Sequence, residues 1–361
     1  MHAEFGGIDP GRAPASRETV TTTVLDPAAF STHRTEVRDG VELAYIREGV
    51  GGVPLVLVHG WPSTKRIFWL NIAPLAAAGF EVIVPDQRGF GDSPRPAQLV
   101  DMATSARDLH GLLTGLGHQW VIAAGGDWGS GVVLDMGNRF PGFVRRQAVW
   151  NGVAPNVPEL YEAAGIFGSQ LEEVAHLSSH MIDHGADPEG IMARYDTPTK
   201  RHAYIREFHN PMGERVWKEG APPIRLTAPG SFDDQSSRFM AEPFENADSF
   251  RASLGLYTGA LGFMNAEGDQ DIEPALIDGP ATIETLVLYG EHDHLHRAAH
   301  YPERMEVACQ DLVGPYTITG SGHFIQFEKA NIFNRALVTW CRDLLTADAR
   351  SAQRFGPRVT G

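Results

Sequence analysis

Apolar residues along this chain gather in short, nearly unbroken runs. VPLVLVHG at 53–60, EVIVPD at 81–86, QWVIAAGG at 119–126 and RRQAVWNG at 145–152 make a first series, and TLVLYGEHD at 285–293 with PYTITGSGH at 315–323 a second. Each run is strand-length, most end in a Gly or Asp loop, and helix-length segments separate them. Strands apolar on both faces belong to a mostly parallel sheet covered by helices. Ahead of them, TEVRDGVELAYIREG reads as an edge hairpin turning at Asp39-Gly40.

The spacing of the runs is uneven. Roughly 130 residues lie between Asn151 and Thr285 without a buried strand, and Tyr, His, Phe and Trp are scattered among helical segments there. This stretch is expected to be a helical cap inserted into the sheet domain. The implied organisation is an irregular lead-in at 1–29, a first core part at 30–155, the cap at 156–261, a second core part at 262–347 and a tail at 348–361. No repeat at solenoid periods is present.

Composition narrows the function classes. The 45 acids against 30 bases give a formal charge of −15, which disfavours nucleic acid and anionic membrane surfaces, since both require basic patches. No stretch reaches the ~18 apolar residues of a membrane span, and the first residues lack the apolar core of a signal peptide. Two cysteines, Cys309 and Cys341, imply no disulfide framework. A cytoplasmic enzyme acting on a small molecule, without membrane insertion and in a form that includes a homodimer, is the expectation.

Candidate chemistry sits where the runs end. Gly125-Gly126-Asp127-Trp128-Gly129 follows a buried strand and precedes a helical segment, the G-x-nucleophile-x-G elbow with Asp at its centre. An isolated Asp at a helix start reads as an N-cap; the flanking glycines favour a nucleophile. Asp293 follows the run TLVLYG, and His323 lies in Gly320-Ser321-Gly322-His323-Phe324 after the last run. The order nucleophile, acid, histidine is the one such elbows use. His accepts a proton near neutrality, and a buried acid behind it fixes its tautomer. The plainer roles are an Asx turn for Asp293 and a structural histidine for His323. His59-Gly60-Trp61-Pro62 follows the first run, so the backbone N–H groups of Trp61 and Trp128 are candidates for an oxyanion hole. Asp86-Gln87-Arg88-Gly89-Phe90-Gly91-Asp92-Ser93 lacks the full dinucleotide glycine pattern and reads as a supporting loop. His292, His294, His296 and His300 around Asp293 raise the thought of a metal, yet they read as surface or cap contacts. Neither metal nor organic cofactor is expected.

Together HGWP, DQRGFGDS, GGDWG, YGEHD and SGHF resemble the epoxide hydrolase and haloalkane dehalogenase branch of the α/β-hydrolase fold, over about residues 35–345. The resemblance implies an alkyl-enzyme ester on Asp127, hydrolysed by water that His323 and Asp293 activate, under a helical cap. HGWP looks like the epoxide hydrolases; haloalkane dehalogenases commonly carry Asn or Glu where Trp61 stands. Epoxide hydrolases use two cap donors, usually tyrosines, on the epoxide oxygen. Tyr257 matches the second. For the first, LEEVAHLSSHMIDHG offers no tyrosine; His176 is the nearest match and His180 the next, with Tyr195 and Tyr204 as later alternatives. The resemblance implies an epoxide and water as substrates, and the aromatic-rich cap permits a fairly bulky apolar or aromatic one. A haloalkane or haloacid dehalogenase, and a non-catalytic ligand-binding protein on the same fold, are the other readings.

Overall fold

The computed structural model describes residues 25–38, 40–95, 100–209, 216–260 and 275–347. The expected runs become strands: β1 (Thr32–Arg38), β2 (Val41–Glu48), β3 (Val53–Val58), β4 (Phe80–Pro85), β5 (Val121–Gly126), β6 (Val144–Trp150), β7 (Thr285–Gly290) and β8 (Leu312–Ile318). They form one sheet in the order β1-β2-β4-β3-β5-β6-β7-β8. The hairpin β1–β2 is antiparallel and β2 meets β4 antiparallel, while every later pairing is parallel. The central strands β3, β4, β5 and β7 are buried along their whole length, as continuous apolar runs require when helices cover both faces. β8 starts three residues before its apolar run. Leu312 opens its pairing with Thr285, and the run's last residues, from Thr319, turn into a loop.

Two apolar layers fill the two faces. One joins Val56 and Ala123 to Leu109 and Leu112 of the helix Met102–Gly115. The other joins Leu55 and Ile122 to Phe333 and Leu337 of the helix Ala330–Trp340. Successive strand residues thus go to opposite layers, the period-two rule of a pleated strand.

Between β6 and β7 the described residues contain seven α-helices, from Pro158–Ala163 to Ala247–Ala260, and no strand. The chain leaving and rejoining the sheet is tied by a bridge between Asn156 and Asp278, whose side chains are 2.7 Å apart. Leu261, the expected end of the cap, lies outside the described residues, as do most of the lead-in and the tail. The described end of the lead-in is a short 3-10 helix, Pro27–Ala29, capped by Asp26. Aromatic rings hold the cap to the core: Trp61 meets Phe208 edge-on at 4.8 Å and Tyr257 at 5.6 Å between ring centres.

Candidate active site

The parallel strands all point their C-terminal ends at one edge, so the loops after β3, β5, β7 and β8 converge there. Asp127 stands at the tip of β5 with φ 54° and ψ −129°, a conformation that costs a non-glycine residue on the order of 1–3 kcal/mol. The turn holds because Asp127 N–H donates to Trp150 O at 3.1 Å and Ser130 Oγ donates to Asp127 O at 2.6 Å. Gly60 has to be glycine: a Cβ there would fall 2.3 Å from Asp127 Oδ1. That close approach lets Trp61 N–H donate to Oδ1 at 2.7 Å. The backbone N–H of Trp128 donates to the same carboxylate.

His323 Nε2 lies 3.3 Å from Asp127 Oδ2, and its Nδ1 lies 2.8 Å from Oδ2 of the fully buried Asp293. Asp293 also caps the helix His294–Ala298, so the turn role and the partnership with histidine coexist. The His323 loop is fixed from below. Glu328 accepts backbone N–H bonds from Ala228, Gly322 and Phe324 at 2.7–2.9 Å, and Asn151 Nδ2 donates to the carbonyls of Gly322 and His323.

Burial and charge compete throughout this group. Burial alone would raise the Asp127 carboxyl; the bond and charge of His323 and the N–H groups of Trp128 and Trp61 outweigh it and hold the group below its ordinary value. Burial would lower His323, but the charges of Asp293 and Asp127 and bonds to both push it up to about 10. Asp293 sits well below the usual carboxylate range: burial opposes ionisation, and His296 and His323 overcome it.

A cavity of about 460 Å³ opens over Asp127, with His180 and Tyr257 from the cap and apolar walls including Met102, Trp128, Val174 and Leu295. Tyr257 is buried, and its phenol is held protonated mainly by burial, with Asp127 adding to the effect. The His180 imidazole is pulled down to about 4 by burial despite the opposing charge of Asp127, so it enters the cavity neutral. Ser178 Oγ lies 2.6 Å from its Nδ1.

His176 does not join this group. On the helix Gln170–Leu177, Val174 and Leu177 face inward and His176 is exposed. The chain then breaks at Ser178 and a new helix turns His180 into the cavity. Tyr195 and Tyr204 stack on each other at 4.0 Å, and Tyr204 O–H meets His184 Nε2 at 2.7 Å; neither lines the cavity. The histidines around Asp293 part company. His292 is partly exposed, His300 is exposed and His294 faces the Arg225 backbone, while His296 is buried beside Asp293. Spacing could not separate them, because only the short helix after Asp293 decides which one turns inward. Glu328 and Asn151 carry no motif and were legible only in the fold. The DQRGFGDS loop is a scaffold: buried Asp86 binds Lys65 Nζ at 2.5 Å, Arg88 binds Asp108, and Gln87 Nε2 donates to His59 O at 2.5 Å.

Asp293, His296 and His323 offer donor atoms within 4.8 Å of one another, the set among the described residues that could converge on a metal. The 2.8 Å approach of His323 to Asp293 is tighter than the roughly 3.3 Å edge of a tetrahedral zinc site. As arranged, these side chains fit a hydrogen-bonded pair better than a coordination shell.

A carboxylate on an elbow, a histidine–acid pair and two backbone donors at one edge of a parallel sheet are the parts of a hydrolase site consistent with a covalent intermediate. The family model described as alpha/beta hydrolase fold matches residues 53–330. Over 331 residues the chain is 39% identical to Epoxide hydrolase A of Mycobacterium tuberculosis, covering 87% of this chain and 98% of that protein. The chain belongs to the α/β-hydrolase fold family, in its epoxide hydrolase branch. It is also 33% identical over 177 residues to a soluble epoxide hydrolase of a Corynebacterium species, 49% of this chain and 58% of that protein. A solved structure of the epoxide hydrolase CorEH without ligand shares the fold, with a TM-score of 0.69 at 22% identity over 87% of this chain and 99% of that one.

Proposed function

We propose that this protein hydrolyses an epoxide to a vicinal diol through an ester on Asp127. The observation that carries the reading is the facing arrangement: a carboxylate held by Trp61 N–H and His323 on one side of the cavity, and Tyr257 with His180 on the other. The ionised Asp127 attacks an epoxide carbon and the carbon–oxygen bond of the ring breaks. The charge developing on that oxygen takes a proton from the Tyr257 phenol and a hydrogen bond from the neutral imidazole of His180.

Ester formation discharges Asp127. One of the two charges that keep His323 protonated is then gone, so its proton affinity falls at the step that needs a base. His323 passes the proton it carries at rest to the Tyr257 phenolate, which restores the phenol, and then takes a proton from water, which attacks the ester carbonyl. The N–H groups of Trp61 and Trp128, already aimed at the carboxylate, hold the tetrahedral oxyanion, each donor worth on the order of 3 kcal/mol. The ester bond breaks and His323 gives its proton to the leaving oxygen; the Asp127 carboxyl, which keeps the second hydrogen of the water, then returns that proton to His323, restoring the carboxylate and the imidazolium. The apolar walls favour a bulky apolar or aromatic epoxide.

A dehalogenase is the second reading, and one feature favours it: Trp128 Nε1 is buried without a partner among the described residues, a donor that could hold a halide. The companion donor is missing, because Trp61 Nε1 is engaged by Ser253 Oγ at 3.2 Å. A single turnover in oxygen-18 water tests the proposal across paired epoxides and haloalkanes. The expected result is diol free of label, with label in Asp127. Label in the first-turnover diol, or halide release in place of diol, would overturn it.

A further inference from the structure

Asp293 serves two histidines. Its Oδ2, 2.8 Å from Nδ1 of His323, is also 3.1 Å from Nδ1 of His296. Its Oδ1 accepts the backbone N–H of His296 at 3.2 Å. The two rings stack with centres 5.3 Å apart and planes 29° apart. His296 is 7% exposed and touches the cavity. Its Nδ1 approaches Oδ2 off the line of a well-formed hydrogen bond and has no other partner among the described residues. A buried nitrogen satisfied so poorly is destabilising, and an apolar ring of similar size would avoid that cost. The two-step reaction above gives His296 no task.

We infer that His296 is a positioning residue for the water-activating step: with a proton on Nδ1, it shares the charge of Asp293 and so tempers the basicity of His323. A base must release its proton as well as take it. A buried carboxylate committed wholly to His323 would hold an imidazolium too firmly. A second imidazole on the same oxygen draws part of that charge away. His296 acts through Asp293 and not on substrate.

Other groups also face this cluster. Asp127 approaches from the elbow. From the cap come His180, the Tyr257 phenol and His209, whose ring stacks on Phe324 at 4.7 Å. Tyr301 lies near Asp293, Tyr289 O–H donates to the Asp293 carbonyl at 2.9 Å, and Glu328 binds the loop backbone. Of all these, His296 shares with His323 the contact to the Asp293 carboxylate.

The inference rests on the ester proposed above, and the test keeps the two apart. His296→Phe keeps the ring and removes the nitrogens; His296→Gln keeps a donor and is the second variant should Phe not be accommodated. Each is mixed with styrene oxide, and decay of the protein ester is followed by quenched intact-mass measurement from pH 5 to 10. The expected result for His296→Phe is a midpoint of ester hydrolysis about one pH unit higher than wild type. Below that midpoint the ester decays about tenfold more slowly, and the deficit vanishes at high pH; His296→Gln restores part of the shift. Titration of the His323 ring by NMR, without substrate, should move the same way. A midpoint that stays or falls, or a slowing equal at all pH values, would overturn the inference and leave the ester standing. No ester in the wild-type enzyme with this or other aryl epoxides would overturn both.

Discussion

The two walls of the cavity are built on different principles. The sheet wall is backbone work: a strained elbow, a glycine that admits Trp61 N–H to Asp127, and a loop whose amides are gathered by Glu328. Its charged groups are held by hydrogen bonds of 2.7–3.3 Å between the loops that end neighbouring strands. The cap wall is side-chain work. Tyr257 and His180 line the cavity, and behind them His184, Tyr204 and Phe208 complete a cluster of rings against Trp61, with centres 4.7–6.4 Å from it. Backbone hydrogen bonds pin charge; stacked rings set shape and exclude water while tolerating exchange of one ring for another. The sheet wall should therefore fail sharply when altered, and the cap wall by degrees.

The largest effect is expected from Asp127→Ala, which removes the nucleophile while leaving the elbow's backbone bonds available. Diol formation should fall by at least 10³-fold with the circular dichroism spectrum unchanged; near-normal turnover would break the sheet-wall assignment. His323→Gln should come next. Ester formation persists, its hydrolysis slows by on the order of 10²–10⁴-fold, and a mass adduct accumulates on Asp127 in intact-mass spectra. Turnover without accumulation would deny His323 its part in the second step.

Cap substitutions are expected to be milder. Tyr257→Phe keeps the ring cluster and removes a donor, so ester formation should slow by on the order of 10²-fold with hydrolysis of preformed ester little changed. His180→Phe should slow the same step by about tenfold, whereas His176→Ala should match wild type; rapid-quench rates on the pair decide whether the inward-facing histidine is the donor. Equal effects at 176 and 180 would contradict the geometry.

The smallest expected effect is on stability. Because His323 is raised to about 10 in the folded protein, above its ordinary ~6.5, its contribution is complete below about pH 6.5 and is lost as pH rises toward 10. Thermal midpoints should thus fall more steeply over that window in wild type than in His323→Gln. Parallel slopes in the two proteins would show that Asp127 and Asp293 do not hold the ring charged.

The sequence by itself determined the strands and their mainly parallel class, and it pointed to Asp127, Asp293 and His323, which the fold brings together. Each of these is a local property: a buried strand reads as an apolar run, and the turn ending it demands glycine beside a short reactive side chain. It determined the HGWP loop for the same reason. The cap residues proposed as donors were a different matter. His176 and His180 differ by about one helical turn in number, and a continuous helix would have put them on one face. The break at Ser178 sent one outward and one into the cavity, and no residue type announces that break. The choice of His296 among four neighbouring histidines, and the support of Glu328 and Asn151 under the His323 loop, were likewise decided in three dimensions. Their partners lie 3 to 172 residues away, where packing, and not local pattern, determines what meets.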